Sequence, residues 1–403
     1  MPTTIAPTGI PDADRALGFD ADTWDHAEFV AKGNLTLAAR MPSAVLAPPA
    51  ARHALPPGPP LALERLRLKD PLFERPVDAA TFLDRRLYND GLLVFQRGGV
   101  RHESYRNGFR PRDLHIAQSC SKTLTTMMAG IAFAEGRLAP DDPIAHRVPA
   151  LAPIRAWDGV TLQHVLDMAT GIACDEDYEN PAGMYRRYAR AVGYYAGTQE
   201  ERIGCIEFAR RELTRRACEP GTVFNYASYN TNLIAAALQS AYGCPAADLY
   251  ERHLYARIGA ESPCQLNLDP KGAPLVEGHL NLTLRDFARW ALLYLNGGRN
   301  LARETVVPEA FVEDTIAPDA RRAQAFARGE AAAAFPGAQY HNQTWVLDPA
   351  GRRFAMLGIH GQFAYLDLPR ELLVVGFGSY PVPLSPLMIE CLKRLWAAIS
   401  ESA

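Results

Sequence analysis

Lysine is scarce in this chain. Of 42 basic residues only 5 are Lys, so arginine supplies nearly every cation. Arg stays protonated in a protein, whereas a buried Lys can become a neutral amine, so each lysine here invites a reason. The 7 cysteines form no Cys-x-x-Cys pair and their number is odd, which excludes a complete disulfide framework and fits a reducing compartment, the cytoplasm. No apolar run reaches the length of a membrane span, and residues 1–29 carry neither a basic n-region nor an apolar h-region. A net charge of -3 excludes the strongly basic surface of a nucleic-acid or anionic-membrane binder. There is no Gly-x-Ser-x-Gly, His-Glu-x-x-His or Walker sequence and no clustered set of metal ligands. Nucleophile-elbow, zinc-peptidase and P-loop chemistry therefore have no support, and no metal or other cofactor is expected. What remains is an ordinary globular composition over 403 residues, enough for one large or two intimate domains.

The organisation follows from periodicity. Residues 1–70 read as an N-terminal arm packed on the body, with proline-rich extended chain at 47–60 and Trp24, Phe29 and Leu37 as its anchors. Residues 73–87 have helical spacing. Residues 91–96 and 100–106 read as a hairpin turned at Arg97-Gly98-Gly99. From 119 to 269 the pattern is mainly helical, including a Thr161-capped turn at 161–168. Strands return at 343–347, 354–359, 362–368 and 372–377, and a helix over 385–400 closes the chain. The expectation is an α/β (α+β) fold. A mainly antiparallel sheet from 71–118 and 270–403 is flanked by helices, and an all-helical domain, 119–269, is inserted in it.

Three segments carry chemistry. In Ser119-Cys120-Ser121-Lys122 a hydroxyl and one of the rare lysines lie three residues apart at a helix start. Residues so spaced share a face, and the first turn offers free N–H groups. A serine nucleophile needs just such a neighbouring base and such donors. Ser-x-x-Lys is short enough to occur by chance, and the lysine usage is what raises it. Tyr226, between a Pro220-Gly221 turn and a helix, would ordinarily be a packing aromatic; beside a lysine a phenol can relay a proton. In Gly358-Ile359-His360-Gly361-Gln362, two glycines in an apolar strand indicate a close backbone approach that could leave an N–H facing a carbonyl.

Together with Val165-Leu166-Asp167-Met168, Glu176-Asp177-Tyr178 and Tyr226-Ala227-Ser228, these segments resemble the serine β-lactamase and penicillin-binding-protein superfamily, class C-like. They stand nearest the aminohexanoate-dimer (nylon-oligomer) hydrolases and related esterases. The resemblance runs from about Trp24 to Ile399. It implies an active site in the cleft between the two domains, with Ser119 as nucleophile, Lys122 as base and Tyr226 as proton relay. It implies an oxyanion hole from the backbone N–H groups of Ser119 and Ile359, Gln362 being the alternative donor if the register shifts. It also implies Tyr178 closing over the substrate. Ser228, His360 and Gln362 join Tyr178 as expected substrate contacts. The acidic run Asp175-Glu176-Asp177 reads as a solvated loop or as an attractor for a cationic substrate end. Ser228 replaces the family's Asn, and Met356-Leu357-Gly358 stands where lactamases have Lys-Thr-Gly. The cation that would hold a β-lactam carboxylate is thus missing, which favours a neutral amide or ester. The expected activity is hydrolysis of a small amide or ester through an acyl-enzyme. The alternatives are acyl transfer to an amine or alcohol, and a silent binding protein on the same scaffold. A homo-oligomer is compatible with all three.

Overall fold

The computed structural model of the chain describes residues 4–6 and 18–402. Its centre is a seven-stranded sheet, every neighbouring pair antiparallel. The strands run in the order Gln339–His341, Thr344–Asp348, Arg353–Gly358, Gln362–Asp367, Leu372–Gly378, Asn89–Gln96 and Gly99–Tyr105. Adjacent strands Leu372–Gly378 and Asn89–Gln96 carry apolar runs because both their faces are covered. Leu93, Phe95, Leu373, Val375 and Phe377 point into a core shared with Phe287 and Ala291 of helix Leu284–Leu295. Leu92, Val94, Leu372 and Val374 point the other way, into a core shared with Met388, Leu392, Leu395 and Trp396 of helix Pro386–Ser402. The period-two alternation thus places a helix on each face.

Between Ile116 and Cys264 no strand element occurs among the described residues. The chain there folds as helices Lys122–Ala134, Ile144–Arg147, Leu162–Leu166, Met184–Ala191, Cys205–Glu212, Tyr229–Tyr242 and Ala246–His253. Thr161 caps Leu162–Leu166 by accepting the His164 N–H, and His164 returns the bond to the Thr161 N–H.

Three features differ from the periodicity reading, the first being that Cys264–Asn267, expected inside the helical domain 119–269, is a strand. Residues 73–87 are helical only from Ala79. Pro76–Asp78 instead pairs with Arg67–Lys69, and Asp78 caps the helix at the Thr81 N–H, leaving Phe73 exposed. A proline holds its predecessor out of the helical region, so the helix begins after it. The expected arm, of which residues 1–3 and 7–17 lie outside the described residues, contains a helix, Val30–Arg40, and a strand, Ser43–Leu46. That strand lies inside a second sheet ordered Thr4–Ala6, Ser43–Leu46, Cys264–Asn267, Leu280–Leu282 and His115–Ile116. No described helix is long and apolar enough to cross a membrane.

Candidate active site

His115–Ile116 ends at the second sheet, and the chain tightens into a 3-10 turn, Gln118–Ser121, before helix Lys122–Ala134 begins. The turn is pinned to strand Leu280–Leu282. The Ala117 N–H donates to the Leu280 carbonyl (2.8 Å), and the Leu280 N–H donates to Ser121 Oγ (3.1 Å). Side chains three apart eclipse in a 3-10 turn, so Ser119 and Lys122 are stacked more directly than in an α-helix. Gln118 enters the turn at φ 47°, a left-handed conformation that costs a non-glycine residue free energy and that tertiary contacts must hold. Its side chain meets the Tyr194 hydroxyl at 3.2 Å.

Lys122 is 1% exposed. Its Nζ lies 2.8 Å from Ser119 Oγ, 3.0 Å from Ser228 Oγ and 2.5 Å from the Glu277 backbone carbonyl. Burial pushes the lysine down to about 8, against the opposing pull of the Glu176 and Glu277 carboxylates. The Tyr226 ring centroid is 5.0 Å from Nζ, and the ring is stacked on Trp345 at 5.6 Å. Burial and then Glu176 raise the Tyr226 phenol well above its ordinary value, while the Ser119 and Ser228 hydroxyls act in the other direction. The loop that delivers Tyr226 is fixed by the Asn225 N–H donating to the Met168 carbonyl (2.8 Å). Glu176 closes the cluster. It accepts the Ser228 N–H and O–H, both at 2.5 Å, and the Tyr178 hydroxyl at 2.6 Å. Tyr178 packs edge-on against Tyr185 with ring centroids 4.6 Å apart.

The sequence model of the β-lactamase family matches residues 85–384. A 6-aminohexanoate-dimer hydrolase of Paenarthrobacter ureafaciens is 31% identical over 295 residues, 73% of each protein. The chain belongs to the β-lactamase family. A candidate 6-aminohexanoate-dimer hydrolase from Bacillus anthracis superposes with a TM-score of 0.85 over 98% of both chains at 19% identity. EstCE1, described as a hydrolase with promiscuous acyltransferase activity, gives a TM-score of 0.59 at 15% identity over 79% of this chain and 95% of its own. Both structures share the β-lactamase-like fold.

In this β-lactamase-family chain the end of strand Arg353–Gly358 abuts the Ser119 turn. A Cβ on Gly358 would come 2.9 Å from Gln118 Cβ and 3.0 Å from the Ala117 carbonyl, so only glycine lets the strand so near. Ile359, half-buried, follows at once. The structure does not bring the side chains of His360 and Gln362 into the Lys122 cluster, where substrate contact was expected of them. Both are buried and tied to backbone. His360 Nδ1 is 2.8 Å from the Tyr380 carbonyl. The Gln362 amide donates to the Ile359 and Gly378 carbonyls at 3.1 and 2.7 Å and accepts the Gly378 N–H at 3.0 Å. A polar side chain buried at a strand end satisfies backbone groups the sheet leaves open, and these two shape the Gly358–Gln362 turn. Glu176 and Glu277 are the members that sequence reasoning missed as parts of the cluster. Among the described residues no group of three His, Cys, Asp or Glu side chains could hold a metal ion.

Proposed function

We propose that the chain, a hydrolase of the β-lactamase family, cleaves a small neutral amide or ester through an acyl-Ser119 intermediate, in a cleft between the helical block and the seven-stranded sheet. The observation that carries this reading is the triple contact of the buried Lys122 amine. A neutral amine has two N–H donors and one lone pair. The Glu277 carbonyl and Ser228 Oγ can take the donors, which leaves the lone pair for the Ser119 O–H at 2.8 Å. Lys122 Nζ then accepts the Ser119 proton as Oγ bonds to the substrate carbonyl carbon. The oxyanion is received by the backbone N–H groups of Ser119 and Ile359. The Tyr226 phenol gives its proton to the leaving amine or alkoxide as the C–N or C–O bond breaks, and recovers one from Lys122. Water reverses the sequence and frees the acid. Glu176 orients Ser228 and holds Tyr178 at the mouth. Leu357 and Met356 put no cation beside the turn, which fits a substrate without a β-lactam carboxylate. All seven cysteines are free thiols, which supports a cytoplasmic home.

A fluorophosphonate should label Ser119, and Ser119→Ala should lose both the label and at least about 10³-fold of turnover on a panel of amides and esters. Labelling that survives in Ser119→Ala would overturn the assignment. Adding an amine acceptor to the panel separates acyl transfer from hydrolysis.

A further inference from the structure

We propose that Glu277 is a positioning residue whose buried carboxyl acts on Lys122 from behind and sets the pH at which that lysine becomes a free base. This rests on the reading of Lys122 as the base.

Glu277 reaches Lys122 in two ways. Its backbone carbonyl fixes Nζ at 2.5 Å, and its carboxyl, on a residue 3% exposed, is near enough for its charge to bear on the lysine. Oε1 accepts the Tyr188 hydroxyl at 2.5 Å, and the Tyr188 oxygen in turn accepts from Asn232 Nδ2 at 2.5 Å. Oε2 has no hydrogen-bond partner among the described residues. A buried carboxylate with one oxygen unpaired is costly to ionise.

The groups around the pair show what the carboxyl answers to. Tyr188 comes from helix Met184–Ala191, Asn232 from helix Tyr229–Tyr242, and His279 from the same segment as Glu277, with Nδ1 at 3.7 Å. Burial and the nearby Lys122 hold His279 down to about 3, so it is uncharged at working pH. Lys122 is the cation that bears on Glu277. Glu176, Glu277 and the buried Cys120 are the titrating groups that bear on Lys122, with Tyr226 over its amine. Burial raises Glu277 to about 7 while it lowers Lys122 to about 8. The two therefore titrate as a unit. In the middle of that range the pair holds one proton. With the proton on Glu277, Lys122 is the free amine that Ser119 needs. At higher pH, where Glu277 is ionised and Lys122 is neutral as well, the carboxylate is already in place as the counter-charge when Lys122 takes the Ser119 proton.

The bland alternative makes Glu277 a permanently protonated hydrogen-bond partner of Tyr188. The amide of Glu277→Gln would fill that place with no effect on titration. The two are separated by measuring the rate of Ser119 labelling by a fluorophosphonate from pH 5 to pH 10. Removing the carboxylate lowers the Lys122 pKa, so in Glu277→Gln the acid limb should move to lower pH by about one unit, a tenfold change in proton concentration. The plateau rate should fall several-fold, because the base is weaker. Tyr188→Phe removes one donor to the carboxylate, lets Glu277 keep its proton to higher pH, and should move the limb the same way by less. It carries the test if Glu277→Gln does not fold. An acid limb unmoved in the folded variants overturns the proposal. Failure of the wild-type protein to label at Ser119 would instead remove the reading on which it rests.

Discussion

The proposed role of Lys122 as base depends on its burial. An ordinary lysine is neutral in about one molecule in three thousand at pH 7, and one with a pKa near 8 in about one in eleven. Arginine offers no neutral form at any usable pH. Lys122→Arg should therefore lose about as much kcat/KM as Lys122→Ala, on the order of 10²- to 10⁴-fold. Substantial activity in a folded Lys122→Arg protein would make Lys122 a mere positive charge and leave Tyr226 as the base. This residue was legible because lysine is rare and stands three places from a serine. Glu176 and Glu277 were not. Glu176 lies in an acidic run that reads as a solvated loop, yet the fold turns that one carboxylate inward onto Ser228. Glu277 comes from a segment 155 residues beyond Lys122, with nothing local to mark it.

At the scale of elements, the strand at Arg353–Gly358 has to touch the Ser119 turn without displacing it. Gly358→Ala would set a methyl 2.9 Å from Gln118 Cβ and 3.1 Å from Gln362 Cβ. Such overpacking costs about 1–3 kcal/mol. A shift of even a few tenths of an ångström at Ile359 should lower kcat at least about tenfold while KM moves less. Kinetics unchanged from wild type would show that Ile359 is not an oxyanion donor. A second junction ties the helical block to the sheet. Asp167, at the end of helix Leu162–Leu166, lies 2.5 Å from His341 Nδ1, and Asp314 lies 2.8 Å from Nε2. Arg322 stands 3.8 Å from Asp167 and 3.6 Å from Asp314. Burial disfavours the His341 cation, but the two carboxylates outweigh it and its pKa is raised. That stabilisation is fully present below the ordinary histidine pKa and is lost as pH rises through the raised value. His341→Gln should thus cost about 2 kcal/mol at pH 5.5, at the low side for a buried ion pair because Asp314 is half exposed, and less at pH 9. Melting curves at the two pH values check it, and an equal loss at both would refute the charged pairing. The central strands were legible from their apolar runs, and the capped turn from Thr161. This junction was not, because His341 and Asp167 are 174 residues apart and each alone reads as a surface polar group.

At the scale of the whole molecule the N-terminal residues have more to do than an arm. Their strand, Ser43–Leu46, pairs with Cys264–Asn267 more than two hundred residues later, a register that no local pattern announces. Trp24 is 0% exposed, the Val30–Arg40 helix meets it at Gly33, and its ring lies 4.9 Å from Tyr194, 6.3 Å from Tyr195 and 6.5 Å from His360. Tyr194 holds Gln118 in its left-handed conformation beside Ser119, and His360 belongs to the turn that carries Ile359. One indole therefore braces both backbone segments proposed to bind the oxyanion. Trp24→Ala should cost about 3–5 kcal/mol, the usual range for emptying a buried tryptophan site. It should also lower kcat even at temperatures where the variant is fully folded, because both donors lose a common support. Trp24→Phe keeps most of the ring and should recover much of each. Thermal melting with kinetics well below the transition tests the coupling. A Trp24→Ala protein that is less stable but retains wild-type kcat would show that the brace serves the fold alone.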